Sequence, residues 1–165
     1  MNIIKIFLAV GIISFVMIQS GNTESINSSM ISFEAEMWVE KWVKFWNTFD
    51  LDQVDELFLQ DDRLTYFSSE KEGAIIGFDA VREHHKGFGF IPGGKEQPNK
   101  LWVENLHSAD FNSSAVVTGI WYFQKSDNSE QRGPVTIVYI RQGDQFRIAH
   151  MNFSDYKNEK KEKEV

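Results

Sequence analysis

The chain has 165 residues, 42% of them hydrophobic and 25% charged, which is enough for one globular core and too little for two of ordinary size. It contains no cysteine, so disulfides, thiolate metal sites, cysteine nucleophiles and lipid attachment at a cysteine are excluded. With 17 Lys and Arg against 24 Asp and Glu the formal net charge is −7, which disfavours nucleic acid or an anionic membrane as partner, because phosphates are repelled.

In chain order, Lys5 precedes an apolar run from Ile6 to Ile18 that ends in Ser20-Gly21. The run is shorter than the roughly 20 residues that span a bilayer, so residues 1–20 read as a secretory signal peptide. That reading makes the protein secreted or periplasmic and free of the membrane once cleaved. An uncleaved anchor is the alternative, since Ile3 and Ile4 lengthen the apolar stretch and Ile18 is a poor residue three before a cleaved bond. Residues 21–31 are polar and serine-rich, a linker. The domain is expected over 32–156, and the charged residues 157–165 form a solvated tail.

From Ser32, an N-cap candidate, the pattern is helical. Trp38, Trp42, Phe45, Trp46 and Phe49 recur at spacings of three and four and form one aromatic stripe that must face something large and apolar. Asp50 to Gln53 fits a capping box opening a second helix with Val54, Leu57 and Phe58 buried. After Asp61-Asp62, residues 63–68 alternate as a strand, and 74–77 return beside it. Gly77 starts a third helix, which carries Arg82, Glu83, His84 and His85 and ends at Gly87. Residues 88–98, with two prolines and three glycines, read as a mobile loop.

Strands are expected over 101–107, 115–123, 134–141 and 145–154, with turns at 108–114 and 125–132 and a tight hairpin at Gly143-Asp144. Strict alternation along the last strand puts Phe146, Ile148, His150, Asn152 and Ser154 on one face, apolar at one end and polar at the other. With a two-residue loop, Ile137 lies opposite His150; with three residues, Thr136 does. Trp121 is preferred over Tyr122 as the inward residue of its strand, because Gly119 on the same face leaves room for a ligand. The facing of Tyr66 stays open.

Adjacent His84 and His85 point about 100° apart and form no one-face metal pair, and no other spacing suggests a metal. Gly93-Gly94 lacks the residues of a phosphate loop, and no serine sits in a nucleophile elbow. No metal or cofactor is expected.

Several pieces, in this order, resemble the nuclear transport factor 2-like superfamily, in particular its SnoaL-like and ketosteroid-isomerase-like branches. They are Trp46 to Asp52 leading to Leu57-Phe58 and Asp61-Asp62, Gly77 to Val81, Ala115 to Trp121, and Gln145 to His150. The resemblance implies an α+β cone of three helices, in which a curved mixed β-sheet wraps a long N-terminal helix and leaves a pocket on its concave face. The positions matching the steroid isomerases' oxyanion-hole tyrosine and general-base aspartate fall on Trp42 and Phe67, and a third, the protonated aspartate's, falls near Thr136. Neither ring accepts a proton from carbon, so that chemistry is not expected.

The expected function is binding of a small, largely apolar molecule in a pocket lined by Trp42, Trp46, Tyr66, Trp121 and Thr136. His150 and Asn152 are the candidates for acid–base chemistry on it, an imidazole that can take up or give a proton and an amide that orients it. Whether the chain is an enzyme is left open. The rival reading is a non-catalytic interaction module that forms a homodimer through the convex face of the sheet.

Overall fold

The computed structural model describes residues 36–156, so the expected signal peptide and linker, the N-cap candidate Ser32 and the expected charged tail lie outside the described residues. Helix α1 runs through residues 36–48, and the spacing of its aromatic stripe does what it promised. Val39, Trp42, Phe45, Trp46 and Phe49 are all buried, while Trp38 sits at the edge with Lys41 Nζ 3.7 Å above its ring. The helix ends at Phe49, whose φ of 52° is a left-handed conformation that bulky residues rarely adopt. Stacking of its ring on Phe90, with centroids 4.3 Å apart, holds it there.

Asp50 then caps a 3₁₀ turn, Leu51–Gln53, by accepting from the Asp52 amide at 3.1 Å, and Gln53 donates back to the same carboxylate at 2.9 Å. The turn leads into the short α2, Val54–Leu57. Strands β1, Thr65–Phe67, and β2, Ala74–Ile76, form a small hairpin, and α3, Phe78–Gly87, follows. Four long strands complete the chain: β3, Lys100–Asp110; β4, Ser114–Gln124; β5, Glu130–Gln142; and β6, Gln145–Phe153. The expected turn at 108–114 is shorter than predicted, because β3 continues through Asp110 and only residues 111–113 connect it to β4.

The six strands form one curved, unclosed mixed sheet in the order β2-β1-β6-β5-β4-β3. β1 runs parallel to β6, and every other neighbouring pair is antiparallel. The core lies between the concave face of this sheet and helices α1 and α3, an α+β cone around the first helix.

Two bulges set which residues face inward. The β5–β6 turn is the two-residue Gly143-Asp144, with Gln142 opposite Gln145. The register holds to Tyr139 opposite Ile148 and then shifts, so that Val138 rather than Ile137 or Thr136 lies opposite His150. Ala149 is the extra residue, and alternation changes phase there. Phe146 and Ile148 face the core before the bulge, Met151 and Phe153 after it. The expectation that His150, Asn152 and Ser154 share the face of Phe146 is thereby corrected: His150 and Asn152 turn outward.

In β3 the register shifts between Glu104 and His107, with Asn105 at a φ of 55°. Gly119 lies opposite this bulge, where an added Cβ would stand 2.9 Å from Val103 Cγ1 and 3.2 Å from Leu106 Cδ2. Its small size therefore admits the neighbouring strand's side chains rather than a ligand.

Residues 88–98 are non-helical, as expected, but they are pinned rather than loose. Ile91 exchanges backbone hydrogen bonds with Phe49 and Leu51, Lys95 N donates to Thr48 O at 2.8 Å, and the Gln97 amide donates to Trp46 O at 2.8 Å. These bonds satisfy the carbonyls left open at the end of α1. Gly94 makes the approach possible: its φ is +76°, and a Cβ there would lie 2.7 Å from Thr48 O.

Candidate ligand-binding site

The open end of the cone holds a cleft of about 140 Å³. Its floor is aromatic: Trp46 from α1, Phe88 from the end of α3, Trp121 and Phe123 from β4, and Phe153 from β6. The rest of its lining is polar: Ser68, Ser69 and Glu70 after β1, with Lys125 and Gln131. An apolar floor under a few polar groups is the composition of a small-molecule site.

Each floor residue is placed by a local cause. Trp121 lies opposite Gly133, over which the chain leaving β6 crosses so closely that any side chain at Gly133 would collide with the Ser154 backbone. That crossing brings the Ser154 carbonyl within 2.7 Å of the Trp121 indole nitrogen, which donates to it and fixes the ring. Phe153 reaches the floor because of the bulge at Ala149, and it packs on Trp121 at 4.2 Å and on Trp46 at 5.7 Å between ring centroids. Phe88 packs edge-on against Trp46 at 5.4 Å and remains 37% exposed.

Of the residues expected to line a pocket, the cleft takes Trp46 and Trp121. Trp42 is fully buried one turn deeper, against Trp46 and Phe153, and belongs to the core. Tyr66 faces inward and is fully buried beside Phe58 and His85. Thr136 pairs with Asn152 on the outer face of the sheet, away from the cleft. His150 is on that outer face too, with Nδ1 2.7 Å from the Thr65 hydroxyl and its ring 6.0 Å from that of Phe67. Asn152 Oδ1 accepts from the Ser154 hydroxyl. The structure does not bring His150 or Asn152 to the cleft.

Behind Trp46 stands a group that sequence reasoning passed over. His85 is wholly buried in a cage of Phe45, Trp46, Phe58, Tyr66 and Phe90, with ring centroids 5.0 to 5.8 Å away. Its Nδ1 is 2.8 Å from the Val81 carbonyl, and because a carbonyl only accepts, that nitrogen carries the hydrogen and Nε2 is the bare acceptor. Burial draws the imidazole down to about 3, against a partial counter-effect from the Val81 bond, so the ring is neutral over the ordinary pH range. Burial likewise raises the Tyr66 phenol well above its usual range. Neither His85 Nε2 nor the Tyr66 hydroxyl has a partner among the described protein groups. The available signal was the spacing of four from Val81, which puts His85 on the apolar side of α3. Among the described residues no three His, Asp or Glu side chains gather as a metal site.

No protein-family model matches the sequence, and a search of curated proteins finds no significant match. Solved structures do resemble the fold. A nuclear transport factor 2-like superfamily protein from Salmonella enterica serovar Typhimurium LT2 superposes with a TM-score of 0.66 at 16% identity, over 83% of this chain and 99% of that one. An NTF2-like protein of unknown function from Pseudomonas putida KT2440 gives 0.70 at 17% identity, over 84% and 95%. A putative ketosteroid isomerase from Parabacteroides distasonis ATCC 8503 gives 0.59 at 22% identity, over 74% and 88%. At such identities the likeness is one of fold and not of chemistry.

Proposed function

We propose, taking as premise that the chain has the nuclear transport factor 2-like fold, that it is an exported domain binding a single-ring, largely apolar molecule at the open end of its cone. The observation that carries this reading is the aromatic floor of Trp46, Phe88, Trp121, Phe123 and Phe153 beneath a polar rim. Size narrows the ligand: an apolar cavity of about 150 Å³ holds one benzene ring. A cleft of about 140 Å³ is therefore matched to one ring and undersized for a steroid nucleus. Trp42, Phe67 and Thr136 supply no proton-transfer group at the steroid-isomerase positions, and the reading assigns no reaction. Toluene titrated into the protein should quench tryptophan emission to a saturating end point; a purely linear response would mean that no ring is bound. Export, which rests on Lys5 and the apolar run after it, predicts that secreted material lacks about 20 residues by intact mass.

A second reading concerns assembly and has its own observation. On the outward face Trp102 and Tyr122 stack with centroids 5.1 Å apart and planes 7° from parallel, and Phe67 and Ile76 are 39% and 62% exposed farther along the sheet. Apolar surface of this kind favours a homodimer through the convex face. Sedimentation should then report a dimer that Tyr122→Lys converts to monomer, and a monomeric wild type at high concentration would dispose of it. The two readings are compatible, because the cleft and the convex face lie on opposite sides of the sheet.

A further inference from the structure

We infer that the ring bound in the cleft carries a carboxylate, held by Lys125, so that the ligand class is a small aromatic acid of about the size of benzoate. The inference rests on the cleft reading above and narrows it. Among the described residues that line the cleft, Lys125 carries the one positive charge and Glu70 the one negative. The two are not equivalent. Lys125 is half-buried, two residues beyond Phe123 where the chain leaves β4, and its backbone amide donates to Ser129 O at 2.8 Å. Its ammonium makes no ion pair or hydrogen bond among the described residues. Asp127, two residues farther on, is engaged elsewhere: its Oδ1 accepts from the Ser129 amide at 2.8 Å and from the Ser129 hydroxyl at 2.6 Å. Those bonds, more than the charge of Lys125, hold the Asp127 carboxyl below its usual range. The lysine charge is therefore left for a ligand. Glu70, by contrast, is exposed to solvent, where water and salt screen its repulsion.

The uncharged groups of the lining favour the same class. Gln131 lies opposite Phe123 and brings an amide to the Lys125 side of the cleft. Ser68 Oγ already accepts from the Glu70 amide at 3.2 Å, which leaves its hydrogen to donate, and Ser69 adds a second hydroxyl. An ammonium, an amide N–H and two hydroxyl hydrogens suit a group that accepts and never donates, and a carboxylate is such a group. The net charge of −7 does not oppose this, because charges more than about 8–10 Å away are largely screened at physiological salt, whereas Lys125 lines the site itself.

Benzoate, toluene and benzylamine share one ring and differ in the charge of the substituent, so their affinities decide the matter. They are measured by tryptophan emission at pH 7 and low salt on wild type, Lys125→Met and Glu70→Gln. Benzoate should bind the wild type about tenfold more tightly than toluene, the usual scale for one charge-assisted hydrogen bond at a partly exposed site. Lys125→Met, which keeps the stem and removes the charge, should abolish that preference. Added salt should weaken benzoate relative to toluene, and Glu70→Gln should strengthen it. Benzoate held no more tightly than toluene, or a preference that Lys125→Met leaves intact, would overturn the inference and leave the cleft reading standing. A preference for benzylamine that Glu70→Gln removes would overturn it too, making the ligand a cation. Failure of all three compounds to bind would overturn the inference and the cleft reading together.

Discussion

At the scale of single residues, His85 is buried in the core and His150, the expected site residue, lies on the outer face of the sheet. His150 sits on the outer face with its Nδ1 bonded to the Thr65 hydroxyl, so His150→Ala should cost about 1 kcal/mol of stability and leave toluene binding unchanged. Loss of binding with no loss of stability would instead return His150 to the site. His85 makes a pH prediction. Its pKa falls from 6.5 to about 3 on folding, so between those values the unfolded chain takes up a proton that the folded chain refuses. Stability is therefore full above about pH 6.5 and declines as pH falls towards 3, by about 2 kcal/mol between pH 7 and pH 5. His84, also lowered mainly by burial, adds in the same direction, but it is present in both wild type and His85→Phe. Urea denaturation at pH 7 and pH 5 should show a smaller loss in the variant; equal losses would mean that His85 is hydrated or charged in the folded chain. The inward facing of His85 was legible, in the i to i+4 relation with Val81. The outward facing of His150 was not, because one extra residue upstream reverses it and nothing about Ala149 announces a bulge.

Among the elements, α1 was the most legible and carries the most packing. Five aromatics at helical spacing admit one arrangement, and four of them are buried with Val39 against the concave sheet. Trp42→Ala should cost about 3–5 kcal/mol, measured by urea unfolding, since Trp42 has no exposed surface and touches both Trp46 and Phe153. A cost below about 1 kcal/mol would contradict its place in the core. The strands were legible in number and order, because alternation and turn residues report them locally. Their facing was less so. The bulge in β3 left two faint marks, an asparagine at Asn105, which tolerates a left-handed φ, and Gly119 opposite it. Residues 88–98 look loose because proline and glycine forbid a helix, yet composition is silent on tertiary hydrogen bonds, and it is those to the end of α1 that hold the segment.

For the whole molecule, the resemblance to the nuclear transport factor 2-like superfamily implied an α+β cone, and the architecture is that cone. A site, unlike a fold, depends on which side chains converge, and here the convergence is produced by the bulge that turns Phe153 inward and by the crossing over Gly133 that anchors Trp121. Those are long-range features, which is why the sequence indicated Trp46 and Trp121 but neither Phe88 nor Phe153. The chain has five tryptophans, and the central claim assigns two of them to the cleft, Trp46 and Trp121, and one, Trp102, to the opposite face. Their indole N–H signals therefore form a map of the molecule. A titration with toluene followed by proton–nitrogen correlation spectroscopy should move the Trp46 and Trp121 signals along one saturating curve and leave those of Trp38 and Trp102 in place. Signals that do not move, or a response confined to Trp102, would contradict the account, the first by denying a ligand and the second by placing it on the convex face.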